Sequence, residues 1–169
     1  MTQEVLQFTG VRVQVTTTHP YEEVLARLRH EVGSTPILEL VASAKRLRTQ
    51  EEFAREVRER WVGPSDFTLF AEIDHGGWIG HFDIERKARR WILGNPLIAI
   101  TMIRHDLQAG LFLPVELYLV DREGDEGAVV SYVRPSSLIA IGDNPELRKA
   151  AEALDEKLEA LVMKVTGAQ

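Results

Sequence analysis

A chain of 169 residues, 44% apolar and 27% charged, has the size and composition of one soluble globular domain spanning 1–169. It can bury roughly two thirds of the surface its unfolded form exposes. The net charge of −6 supplies no cationic field for phosphates and argues against nucleic acid as a partner. The absence of cysteine excludes disulfides, thiolate nucleophiles and cysteine-ligated zinc or iron–sulfur centres. Met1-Thr2-Gln3-Glu4 carries no basic-then-apolar leader, and the most apolar run, Leu93 to Ile103, is interrupted by Asn95, Pro96 and Thr101 and is far too short to span a bilayer. The expected location is cytoplasmic, with no membrane partner.

Val11 to Val15 alternates apolar and polar residues at the period of a half-buried strand. A helix opens at Thr18-His19-Pro20, where proline tolerates the first turn. Its stripe is Tyr21, Val24, Leu25, Leu28 and Val32. Glu22 and Glu23 early and Arg29 and His30 late complement the helix dipole, and Gly33 is expected to close it. Pro36 to Leu47 reads as helical, and Thr49-Gln50-Glu51-Glu52 reads as a capping box for another helix. Phe53, Val57 and Trp61 share a face of that helix until Gly63-Pro64 stops it.

Phe67, Leu69, Ala71 and Ile73 alternate as a strand ending at Asp74-His75-Gly76-Gly77. Trp78 to Phe82 is expected to be a short strand or an extended loop. Trp91-Ile92-Leu93 reads as a buried strand, and Asn95-Pro96 as a helix start, with asparagine the cap and proline at the first position. The helix from Leu97 to about Leu107 is apolar nearly all round, which predicts deep burial. Val115 to Val120 and Val129 to Val133 form a hairpin around the glycine- and acid-rich turn from Glu123 to Gly127. The last helix is capped by Asp143 or Asn144 and begun by Pro145. Leu147, Ala151, Leu154, Leu158, Leu161 and Val165 form its stripe, and Gly167 lies just past its end. Strands that do not alternate rigidly with helices predict an α+β sandwich rather than a doubly wound fold.

Ile73-Asp74-His75, Gly94-Asn95-Pro96, Gly110-Leu111-Phe112-Leu113-Pro114 and Val130-Ser131-Tyr132 resemble, in that order and at similar spacing, the "domain of unknown function 302" family. The resemblance covers roughly Val11 to Ala140 and is strongest from Ile73 onward. It implies an α+β domain with helices packed on a curved antiparallel sheet, similar to the TATA-binding-protein-like class. It implies no reaction and no cofactor.

The residues themselves place candidate chemistry at strand ends and helix starts. Asp74, His75, His81 and Asp83 bring two imidazoles and two carboxylates within ten residues, a donor set suited to zinc, iron or manganese. Their spacing fits no ligand template, so no metal is assigned; the plainer reading has Asp74 capping a loop and His75 bonding a turn carbonyl. Asn95 at a helix start can frame an anion site, although an asparagine there ordinarily satisfies the free N–H groups itself. Pro114 and Tyr132 are candidates for the same rim, against readings as a strand start and a half-buried hairpin residue. Ser131, Ser136 and Ser137 lack a nucleophile elbow.

The expectation is therefore a small-ligand-binding domain with one polar site near Asp74, His75, Asn95, Pro114 and Tyr132. The ligand would be a small molecule or an anion, and its identity and any cofactor are unspecified. If the chain is an enzyme, His75 is its candidate for proton transfer, because imidazole titrates near neutrality. The alternative is a non-catalytic homo-oligomer or partner-binding protein. A homodimer is expected under either reading, because uncovered sheet favours association.

Overall fold

The computed structural model describes residues 1–168. Six strands form one open sheet: β1 (Arg12–Thr17), β2 (Gly33–Ser34), β3 (Thr68–Asp74), β4 (Ala88–Gly94), β5 (Val115–Asp121) and β6 (Ala128–Val133), in the order β1-β6-β5-β4-β3-β2. Four of the five pairings are antiparallel. The short edge strand β2 runs parallel to β3, so the sheet is mixed rather than wholly antiparallel. With helices packed around it, the class is α+β.

Two helices build most of the core. α1 (Tyr21–Glu31) buries Tyr21, Val24, Leu25 and Leu28. Further on come α2 (Ile37–Arg46), α3 (Gln50–Glu56), the single turn α4 (Gly76–Ile79), α5 (Pro96–Ile103), α6 (Pro135–Ile139) and the long α7 (Pro145–Thr166). Asn144, not Asp143, caps α7 by accepting the Leu147 N–H at 3.0 Å. Every residue of the expected α7 stripe is buried, and Gly167 ends the helix in the left-handed conformation. Their apolar faces meet alternate residues of the strands: Val115, Leu117 and Leu119 on β5, Ala128, Val130 and Tyr132 on β6, and Trp91 and Leu93 on β4.

At α3 the capping box forms with a one-residue shift. Thr49 accepts from Glu52 N–H at 3.1 Å, while the Glu52 carboxylate accepts from Arg48 N–H at 3.0 Å. That backbone contact, with Thr49 beside it, holds the Glu52 carboxyl below the usual carboxylate range.

Three expectations need correction. Gly33 does not close α1 as a left-handed cap; it belongs to β2, where a Cβ would fall 1.7 Å from the Trp61 carbonyl oxygen. Gly63 is as tightly held, since a Cβ there would lie 2.5 Å from Gly33 N. Trp78 to Phe82 is neither strand nor loop: α4 continues into a tight turn over Gly80–Phe82. Its start is held by Asp74 accepting the Gly77 N–H and by the close approach of Gly76, where a Cβ would lie 3.0 Å from the Arg86 carbonyl oxygen. The apolar run after Asn95 stops at Ile103, and of it only Met102 is buried. It packs at the end of the sheet, so Ile100 is exposed and Leu97, Ile98, Ala99 and Ile103 are only half-buried.

Over β1, β6, β5 and the middle of β4 the second face of the sheet is open. Arg12, Gln14 and Thr16, Glu116 and Tyr118, and Val133 are all exposed there. No helix among the described residues is long and apolar enough to cross a membrane.

Candidate functional site

The antiparallel β3–β4 ladder decides which expected site residues can meet. Asp74 is paired with Arg89, whereas Thr68, at the other end of β3, is paired with Gly94. Asp74 and His75 therefore lie at one end of the ladder and Asn95 at the other, about 20 Å away at roughly 3.3 Å per residue. The expected polar site shared by His75 and Asn95 does not form.

At the first end, Asp74 accepts the Gly77 N–H at 3.1 Å and Arg89 Nη2 at 2.8 Å. It is both a cap for α4 and an ion-pair partner. His75 stands half-buried over the open face, its ring 5.8 Å from those of both Trp78 and Tyr118 in edge-to-face geometry. Among the described residues no three His, Asp or Glu side chains converge as a metal would require. Tyr132 lies on the helix-covered face opposite Val13. Burial, with Glu159 and Asp155 nearby, pushes its phenol above the usual range, and Arg134 opposes the rise.

Asn95 and Pro114 do come together. Asn95 Oδ1 accepts from Leu97 N–H at 2.8 Å, and its amide donates to the Asp66 carbonyl at 2.9 Å. Both ends of the side chain are thus used in anchoring α5. Pro114 follows a cis peptide bond with Leu113 and leads into β5. Between them lies a cavity of about 190 Å³ at the end of the sheet. Ile37 and Leu40 of α2 form one wall and Ile98 and Ala99 of α5 another, and Phe70 and Leu154 are among the further apolar groups. Among the described residues Asn95 is the one non-apolar side chain in the lining. Gly94 makes the closest approach here: a Cβ would fall 2.7 Å from the Phe70 ring and 3.1 Å from Pro114 Cβ. Around the cavity α2 leaves Ile37, Leu38 and Val41 exposed, Leu38 at 79%. No local pattern in the sequence marks Phe70, Ile98 or Ala99 as lining residues, because the cavity is made by elements far apart in the chain.

A second, wider concavity occupies the open face of the sheet. This trough of about 810 Å³ is lined by β1, β6 and β5, with Arg86 and Arg90 along its side. Arg90 Nε donates to Glu116 Oε2 at 2.9 Å, and Arg86 Nε donates to Asp121 Oδ1 at 2.9 Å.

The sequence model of a family described as "Domain of unknown function DUF302" matches residues 42–165, from α2 to the last turn of α7. The chain belongs to the DUF302 family. The matched region begins later than the resemblance in the sequence suggested and runs on through the final helix. A solved relative, the crystal structure of an uncharacterized conserved DUF302 protein from Bacillus stearothermophilus, superposes with a TM-score of 0.61 at 15% identity, covering 91% of this chain and 97% of that one. At that identity the likeness shows the DUF302 fold alone. No curated protein matches the chain.

Proposed function

We propose that this DUF302 chain is a small-ligand-binding domain whose ligand is uncharged and apolar, held in the cavity between α2, α5 and the Gly94–Pro114 end of the sheet. One observation carries the reading: Asn95, the cavity's only polar side chain among the described residues, has both its oxygen and its amide engaged by backbone groups. A charged or strongly hydrogen-bonding guest would lose its water there and find no partner. An apolar guest loses nothing.

The volume sets the size. At ~30 Å³ per water-sized group, 190 Å³ holds roughly six such groups, an aromatic ring or the end of an alkyl chain. Such a space lies below the usual range for drug-sized ligands, so the guest is small or enters only in part. The exposed Leu38 and Val41 of α2 offer an apolar path beside it.

The test is thermal denaturation with benzene or 1-hexanol as probe. Binding to the native state alone raises the melting temperature with probe concentration. Ala99→Phe, which fills the cavity, is expected to remove that rise while native circular dichroism is retained. An unchanged melting temperature in the natural sequence, or an equal rise in the variant, would sink the reading.

A further inference from the structure

We infer that the open face of the sheet is the docking surface for a second copy of this chain, related by a two-fold axis that runs along the strands between β4 and β5. The inference is independent of the cavity at the sheet end.

Charge comes first. At the centre of the six-strand order, Arg90 on β4 and Glu116 on β5 stand side by side on the open face. Farther out, Arg86 is matched by Asp121. A polyanion would meet Glu116 on this face, and a polycation would meet Arg90 and Arg12. A surface that alternates sign in the same way satisfies both. Arg90 stands opposite Tyr118 in the β4–β5 ladder, and its side chain reaches along to Glu116. An axis between the two strands therefore brings the guanidinium–carboxylate pair of each copy against that of the other, and the chain supplies its own complement.

Relief points the same way. On the β3 side, α4 and the turn after it raise His75, Trp78 and Phe82 above the sheet as one edge-to-face series. Trp78 is 49% exposed and Phe82 69%, large aromatic surface of the kind found at interface centres. The β6 and β1 side is the trough. A two-fold axis along the strands brings the ridge of each copy over the trough of the other, twice per dimer. Ile73 and Tyr118, also exposed on this face, lie between the two. The product is four layers, helix–sheet–sheet–helix, with both open faces covered.

The experiment is sedimentation equilibrium at micromolar protein, with Arg90→Glu, Glu116→Arg and an equimolar mixture of the two. The natural sequence is expected near 38 kDa, about twice the 19.1 kDa chain. Each charge reversal is expected to weaken the dimer at least tenfold, because like charges then face each other across the axis. Mixing them is expected to restore it, since each variant meets its complement only in the other molecule, whereas the pair within each chain stays mismatched. Restoration also shows that both variants are folded. A natural chain at 19 kDa, a dimer indifferent to both reversals, or a mixture no more associated than its components would each overturn the inference. So would a dimer that survives Trp78→Asp with native circular dichroism.

Discussion

The phenol of Tyr21, the first residue of α1, is sealed beneath the sheet beside Arg89, whose guanidinium is held instead by Glu72 and Asp74. Burial pushes the Tyr21 phenol up to about 12; Arg89 opposes the rise without forming a hydrogen bond of good geometry. The folded pKa lies above the unfolded value of 10, so the neutral form is favoured in the native state. The associated stability is present in full below pH 10 and is lost as pH climbs toward 12. At 1.36 kcal/mol per unit, the loss expected from this group is roughly 1–3 kcal/mol. Urea melts across that range should show it, and Tyr21→Phe should flatten it.

The same substitution has a neutral-pH signature. The Tyr21 hydroxyl is buried with no hydrogen-bond partner among the described residues. Removing it breaks no bond and removes a desolvated polar group, so Tyr21→Phe is expected to leave stability unchanged or raise it by up to about 1 kcal/mol at pH 7. A loss above about 1.5 kcal/mol would mean that the phenol has a partner in solution.

Leu158 lies fully buried in the middle of the α7 stripe. Leu158→Ala is expected to cost about 2–5 kcal/mol, the range for large-to-small changes in a close-packed core. A change under half a kcal/mol in denaturant melts would contradict this placement of the helix.

Asn95 separates its two roles by substitution. Asn95→Ala gives up both the cap on Leu97 and the bond to the Asp66 carbonyl, and should cost about 2–3 kcal/mol. Asn95→Asp keeps the capping oxygen and loses only the donor. It should recover about 1 kcal/mol of that loss in equilibrium unfolding. An aspartate as damaging as alanine would show that the Asp66 bond carries the whole effect.

Gly94→Ala sets a methyl group against the Phe70 ring and Pro114. The expected cost is about 1–3 kcal/mol, from displacement of packed groups rather than from backbone conformation. Phe70→Leu in the same chain should return part of it. Additive losses in the double variant would show that the two positions do not touch.

These variants also show which parts of the molecule local signals could reveal. The Leu147–Val165 stripe, the Asn144 cap and the Asn95-Pro96 start rest on neighbours within a turn or two of chain, so they are legible in the sequence. The position of His75 relative to Asn95 is not, because it depends on β4 reversing direction against β3. Reversal brings Arg89 beside Asp74 and carries Asn95 to the far end. The run Arg86, Lys87, Arg89, Arg90 reads as one basic stretch, yet pleating divides it: Arg89 faces the helices and Arg90 the open side. α5 misleads for the opposite reason. Its composition is apolar all round, but tertiary position, which composition does not encode, leaves Ile100 at the surface.

The crossing of Gly33 and Gly63 has a consequence for the segment between β2 and β3. The chain leaves and returns through the same point: Gly33 N–H and Gly63 N–H both donate to the Phe67 carbonyl at 2.9 Å, and Ser65 N–H donates to the Glu31 carbonyl at 3.0 Å. Beyond that clasp, Ala54, Val57 and Trp61 form a small buried group of their own, outside the main core. What lies between the glycines is set off by that clasp and meets the end of the sheet through Ile37 and Leu40 at the cavity. Its amides are expected to exchange with solvent in a separate, faster phase than those of β3 and β4, because opening it leaves the central ladders intact. Among relatives, length changes should accumulate between Pro36 and Arg60 while the two clasp positions stay small, since one added methyl group there would force two backbones apart.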